Sequence, residues 1–367
     1  MDAEARSQYP SISKDQWDQL GYLDAASLRT SNLSNEVHPI LSFTWKGRDR
    51  WNFEHSGFTE EKTCSLMLPS LRLVSNLITS APGVHFFHAI FLGPRRELVD
   101  LTAQLGGEIT QHALYPTKDI DTNEARKEVE SALKRLAEHS YLEFADLAND
   151  AGMAMNGGAR AMVRAARSPK EINILDDDSR KGVSVRITIN PKWLTALEEA
   201  HSQPNNTGCI LSIQFNLAKT IYHELQHAAD LATNKAVADR MKMRPEEIAA
   251  LGGFHFPEPY FEGQQISELG YSAEQFTFGG RVDWDFGSIA GTTSMYEWPG
   301  LFEVEDFERG PGPKSTARRW IVSMRYIRRV QQQAFWITVD PDDVQALLIP
   351  KRAFVEYGIR RLAPSTE

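Results

Sequence analysis

Apolar residues recur at helical spacing most clearly over residues 213–231, where Ile213, Leu217, Ile221, Leu225 and Ala228 form one stripe. No proline or glycine interrupts that stretch, so the pattern predicts a continuous helix. A second helix is predicted over residues 122–149, capped by Thr122, with Val129, Ala132, Leu136, Ser140, Phe144 and Leu147 along its apolar side. Val183, Val185, Ile187 and Ile189 alternate with Ser184, Arg186 and Thr188, the period-two signature of a half-buried strand, and Pro191 ends it. A further helix is predicted over residues 267–278, opened by Ser267 and stopped by Gly279 and Gly280. Upstream, the run from Leu66 to Leu92 predicts a short helix opening at Pro69 and reaching Ile78, then a strand near residues 84–91. Downstream, a long helix is expected over residues 318–335, followed by short strands at 336–339 and 344–349. Gly157-Gly158, the Asp176–Asp178 run, Trp298-Pro299 and residues 310–313 read as loops or turns, and residues 1–39 as a loose arm.

Composition narrows the class. A chain of 367 residues can form one large domain or two ordinary ones. It shows no repeats and no low-complexity linker. The expected organisation is an N-terminal elaboration (residues 1–120) packed on a catalytic domain (residues 121–367), together one unit. A hydrophobic share of 41% and a charged share of 24% are ordinary for a soluble globular protein. The net charge of −9 argues against a general binder of nucleic acid or of anionic membranes. The N-terminus is polar and lacks an apolar signal core, and no run approaches a membrane span. Cys64 and Cys209 fit free intracellular thiols better than a disulfide framework. These features lead us to expect a cytoplasmic protein with a peptide or small-molecule substrate and neither nucleic-acid nor membrane partners.

The chemistry is carried by His223-Glu224-Leu225-Gln226-His227, an HExxH motif inside the predicted 213–231 helix. Positions i and i+4 stack one turn apart on one helix face, so both imidazoles can reach one Zn2+. Glu224 is then close enough to take a proton from water at the metal. On a helical wheel Glu224 falls within the arc of Leu217, Ala228 and Leu231, and a glutamate there is costly unless it is paired or bound. The bland alternative is a pair of solvated surface histidines. Zinc needs a third protein ligand. Glu268 and Glu274 on the predicted 267–278 helix are the leading candidates, six residues apart and so on different sides of it. Periodicity does not separate them. His255 follows, and the two cysteines are poorly placed. Gly270 would let the two helices approach closely. Tyr271, Arg281 and Tyr296 are candidates for stabilising charge in a transition state. Lys314, Arg318, Arg319, Arg325, Arg328 and Arg329 form a basic run, with Arg318, Arg325 and Arg329 near one predicted helical face. Such a run is either a solvated face or a grip for a substrate carboxylate.

At these residues the chain resembles the zincin metalloproteases, and among them the gluzincin type, which uses two motif histidines and a downstream glutamate on a second helix. Glu268-Leu-Gly270-Tyr-Ser-Ala-Glu274 is similar to the gluzincin pattern of Glu, Gly and a second Glu. HELQHA, EPYFE, ELGYSAEQFTFGG and Gln333-Ala334-Phe335-Trp336 also resemble a group of little-characterised fungal HExxH proteins. The resemblance covers roughly residues 209–336. It departs from thermolysin-like enzymes, because Ser272 stands where their Glu-x-x-x-Asp spacing would place an aspartate, and the gap from His227 to Glu268 is longer.

The resemblance implies an α+β, helix-rich, zincin-like metallohydrolase with its active-site helix packed beside a small sheet. It implies Zn2+ held by His223, His227 and Glu268, with Glu274 as alternate ligand or supporting partner and Glu224 as general base. The implied reaction is hydrolysis of a peptide-like amide. A second expectation is a zinc enzyme acting on a small ester, lactone or cyclic amide in a biosynthetic pathway, which the lack of a secretion signal favours. A third is a non-catalytic zinc protein, against which Glu224 speaks.

Overall fold

Helix starts in the first third of the chain are set by hydroxyl caps, and two of them differ from what the hydrophobic pattern predicts. The computed structural model describes residues 29–100, 112–115, 122–147, 161–203, 206–243, 258–261, 264, 267–284, 293–296, 316–351 and 354–358. Three short strands come first, β1 (Thr44–Trp45), β2 (Arg48–Asp49) and β3 (Trp51–Asn52). Helix α1 (Glu60–Thr79) is capped by Thr59, whose hydroxyl accepts from the Lys62 amide, with Glu60 and Glu61 at its positive end. Pro69 therefore lies inside α1 instead of opening it. Helix α2 (Ala81–Phe91) replaces the strand expected at residues 84–91. It is buried on nearly every side, so its sequence carries no period by which helix and strand could be told apart. The deciding signals are local: the Ser80 hydroxyl caps the Gly83 amide, and Pro82 sits in the first turn.

Strands β4 (Arg95–Glu97) and β5 (His112–Leu114) follow, then α3 (Thr122–His139). The helix expected to reach residue 149 stops at His139, and Ser140–Phe144 is strand β6. Parallel pairing of β6 with its neighbours, a non-local effect, overrides the continuing helical stripe. Strands β7 (Ala161–Ala165), β8 (Glu171–Ile172), β9 (Gly182–Val183) and β10 (Val185–Ile189) lead to helix α4 (Lys192–Ser202). The alternating segment is thus strand as expected, and Asp176–Asp178 leads from a bend through the cap residue Asp177 into a single 3-10 turn at Asp178–Arg180. The motif lies on α5 (Thr207–Leu231), followed by α6 (Lys235–Arg240), β11 (Tyr260–Phe261) and α7 (Leu269–Phe278). Gly279, at φ 81°, ends α7 in the left-handed region, as its sequence predicts.

The C-terminal part departs furthest from expectation. Strands β12 (Arg281–Trp284), β13 (Thr293–Tyr296) and β14 (Thr316–Ile321) precede helices α8 (Met324–Arg329) and α9 (Gln333–Thr338) and strand β15 (Phe354–Gly358). The single helix expected over 318–335 is instead a strand and two short helices. β14 is captured between β13 and β15, and the Ser323 hydroxyl restarts the helix by capping Tyr326. Residues 336–338 belong to α9, and residues 344–349 are turns and extended chain. His255, Lys314, Gly157-Gly158, Trp298-Pro299, residues 310–313 and most of the expected N-terminal arm lie outside the described residues.

The architecture mixes helices with sheets. One four-stranded sheet has the order β3-β6-β10-β7, with β3, β6 and β10 parallel and β7 antiparallel to β10. A second is antiparallel, β12-β13-β14-β15, and a small one runs β11-β5-β4. Helix α5 is the centre, packed by α1, α2, α4, α7 and α8 and by strands β7, β10 and β12. One apolar cluster runs from Leu33 to Ile349, so α1 and α2 share the core of the later elements. The ring of Phe278 on α7 stands edge-on to Phe215 and Tyr222 of α5, at 6.0 and 6.3 Å. All three are buried, and truncating such a ring costs about 3–5 kcal/mol. This aromatic contact sets α7 against α5. Gln331 joins distant segments, donating to Leu211 O on α5 and accepting from the Asn32 amide. Among the described residues no helix is long and apolar enough to cross a membrane.

Candidate metal centre

His223 and His227 lie one turn apart on α5, with ring centroids 5.0 Å apart. Glu268 reaches them from the start of α7. It is the N-cap of that helix itself, a place the sequence reading gives to Ser267. Its Oε2 accepts from the Tyr271 amide at 2.5 Å, which turns Oε1 toward α5. Oε1 lies 3.1 Å from His223 Nε2 and 3.0 Å from His227 Nε2. The ligand atoms of His223, His227 and Glu268 all fall within 4.8 Å of one another, and this group could hold a metal ion. Gly270 permits the approach, because a Cβ there would run into the His223 ring.

Each imidazole is held from behind by a second carboxylate. Glu274 Oε1 lies 2.9 Å from His223 Nδ1, and Glu258 Oε1 lies 2.5 Å from His227 Nδ1. Glu274 is fully buried, accepts from the Val282 amide at 2.6 Å and lies 3.4 Å from Lys219 Nζ. Glu258 accepts from the Leu269 amide at 2.9 Å. The first amides of α7 thus orient two carboxylates at once, Glu258 and Glu268, at the positive end of the helix. Glu274, one of the two ligand candidates, stands behind the His223 ring and not among the converging Nε2 and Oε1 atoms.

The electrostatics test whether a cation fits. A carboxylate only accepts, so both Nδ1 atoms carry protons and donate them outward. A neutral imidazole then turns its Nε2 lone pair toward Glu268 Oε1, and three lone pairs meet. Something positive is required between them. Burial opposes a charge on His223, but Glu268 and Glu274 overcome it and push its pKa up to about 9. His227 is likewise raised well above its ordinary value against the effect of burial, by Glu258 and Glu268. Glu268 is held well below the usual carboxylate range by the two histidines, again against burial. Protons satisfy the pocket where a divalent ion would, and two nitrogens with one oxygen are a donor set suited to zinc and its first-row neighbours.

Glu224 is buried beside this group. Burial raises its pKa, while His223 and His227 pull it back. Among the described residues it has no hydrogen-bond partner, unlike the four carboxylate oxygens of Glu258 and Glu268. The Tyr271 ring stands edge-on to His223 at 4.7 Å, with the Arg281 guanidinium 4.3 Å over its centroid. The structure therefore brings Tyr271 and Arg281 beside the cluster. Tyr296 lies in β13, in register with Arg281 across the strand pair. The expected basic face does not form, since Arg318 and Arg319 lie in β14 and Arg325, Arg328 and Arg329 in α8.

Glu258 and Lys219 are members that sequence reasoning missed. Pro257-Glu258-Pro259 reads as a chain break, yet Glu258 is the outer support of His227. Lys219 precedes His223 by one turn, and its position among apolar residues of α5 was the available signal. No family model matches the chain, and no curated protein or solved structure matches it either.

Proposed function

We propose that this chain is a zinc-dependent hydrolase of the zincin type acting on peptide-like amide bonds. The observation that carries the reading is the convergence of His223 Nε2, His227 Nε2 and Glu268 Oε1 beside the buried Glu224. When bound, zinc would supply Lewis acidity, lowering the pKa of water and polarising a carbonyl. Glu224 takes the proton as water attacks and returns it to the leaving nitrogen. Glu274 and Glu258 hold the imidazoles in the orientation that points Nε2 inward.

A peptide-like substrate is supported by β7. Among the described residues it is the edge of its sheet, antiparallel to β10 and packed on α5. An extended chain can add to such an edge through backbone hydrogen bonds. The active-site helix beside a mixed sheet with an antiparallel edge is also the basis for the zincin-type fold. Glu224→Gln should keep its zinc while turnover falls by a factor of roughly 10² or more. His223→Ala, His227→Ala and Glu268→Ala should each lose the metal, read by elemental analysis. Loss of zinc from Glu224→Gln would make Glu224 a ligand and overturn the role given to it.

A further inference from the structure

Lys219 is a buried cation that the proposed chemistry does not use. Its side chain is 6% exposed, and it lies on α5 one turn before His223. Its ion pair is with Glu274, whose side chain is 0% exposed. Placing two charges in an apolar helix interface carries a desolvation penalty, and well-packed apolar residues of similar volume would be as stable or more so. The α5–α7 interface does not need the pair for cohesion. Phe278 already packs against Phe215 and Tyr222, and Tyr222 Oη shares a hydrogen bond of 2.9 Å with Thr277. The pair has another use in view: Glu274 Oε1 is the same atom that receives His223 Nδ1–H.

We propose that Lys219 is a positioning residue for the metal centre, acting through Glu274 to fix the His223 ring with Nε2 toward the cluster. The inference rests on the metal reading above. Two hydrogen bonds and one ion pair hold Glu274: the Val282 amide donates to Oε2, His223 Nδ1 donates to Oε1, and Lys219 Nζ lies 3.4 Å from Oε1. Lys219 supplies the counter-charge to Oε1, the oxygen that also receives His223 Nδ1–H. Without it, Glu274 is a buried anion with no fixed cation, free to turn toward any water that enters. His223 then loses the partner that sets its ring angle, although none of the three ligand atoms has been altered.

The test uses the full-length protein, with cobalt(II) as spectroscopic probe and zinc affinity measured by competition with a chelator. Lys219→Met should weaken zinc binding by about 10–100-fold and change the visible cobalt spectrum. Glu274→Gln should do the same. The double variant Lys219→Met/Glu274→Gln should bind zinc no more weakly than Glu274→Gln, within about threefold, while its melting temperature recovers above those of the single variants. A merely structural ion pair predicts lower melting temperatures with zinc affinity and the cobalt spectrum unchanged, and that result for Lys219→Met overturns the proposal. A further loss of about tenfold or more on adding Lys219→Met to Glu274→Gln also overturns it, and this comparison stands even if Lys219→Met alone fails to fold. A wild-type protein that takes up neither metal defeats the hydrolase reading and this inference together. Normal wild-type uptake with an unaffected Lys219→Met defeats this inference alone.

Discussion

His223 and His227 occupy successive turns of one helix, yet their outer supports are built in different ways. Behind His223, Glu274 belongs to a helix locked onto α5 by aromatic packing, and it is fully buried with an amide and a lysine on its oxygens. Behind His227, Glu258 lies between two prolines on an irregular segment, with its side chain 26% exposed and the Leu269 amide on one oxygen. The first support is part of the core, so its loss should weaken the site and the fold together. The second is a partly exposed strut outside the apolar core, which can orient its imidazole while carrying less of the fold. Two chemically equivalent carboxylates thus differ in what their loss should do.

Removing each carboxylate tests that contrast directly. Glu274→Ala strands Lys219 and the Val282 amide in the interior, which should destabilise the protein by about 3–5 kcal/mol and weaken zinc binding as well. Glu258→Ala should weaken zinc by a comparable factor, about 10–100-fold, while costing less than about 1 kcal/mol of stability. Chemical denaturation together with chelator competition reads both quantities. If Glu258→Ala unfolds as easily as Glu274→Ala, the contrast between core and strut is wrong. A smaller effect is expected at Gly270, where alanine gains up to about 1 kcal/mol of helix propensity but drives its Cβ into the His223 ring. Gly270→Ala should therefore bind zinc about tenfold more weakly with at most a small fall in melting temperature, and unchanged affinity would show that the ring can move freely.

The smallest effect at neutral pH belongs to a histidine with no acidic support at hydrogen-bonding distance among the described residues. His38 accepts from the Ile40 amide through Nδ1 at 3.2 Å, and burial lowers its pKa to about 4, with Glu130 opposing and Lys134 and Arg50 reinforcing the shift. The folded state holds the neutral ring, and the unfolded chain protonates near 6.5. The contribution of His38 to stability is then complete above pH 6.5 and is lost as the pH falls toward 4. Melting temperatures across that window should fall less steeply in His38→Gln than in the wild type. Equal slopes would locate the acid sensitivity elsewhere.

The contrast also explains what the sequence could reveal. The motif helix, the Gly279 stop and the β10 alternation depend on neighbours a few residues apart, and all three were legible. Glu268 was legible as a candidate because it sits at the head of the next amphipathic helix. Its capping role was not, since a glutamate at that position looks like an ordinary first-turn acid. Glu258 was hidden because its contact with His227 is made by tertiary folding of a segment that has no period of its own. The misread elements fail for related reasons. Residues 84–91 are apolar throughout, residues 140–144 continue a helical stripe that sheet pairing overrides, and β14 exists by virtue of two partner strands distant in sequence.

Helix ends ordinarily fray, and their backbone amides exchange with solvent faster than those of the interior. The first turn of α7 is tied differently. Its Leu269 and Tyr271 amides are clasped by the two carboxylates that also touch the histidines. Opening this turn and loosening the histidines are therefore one event. Deuterium uptake at Leu269 and Tyr271 becomes a gauge of occupancy, slowing when the centre is filled although no ligand touches either amide.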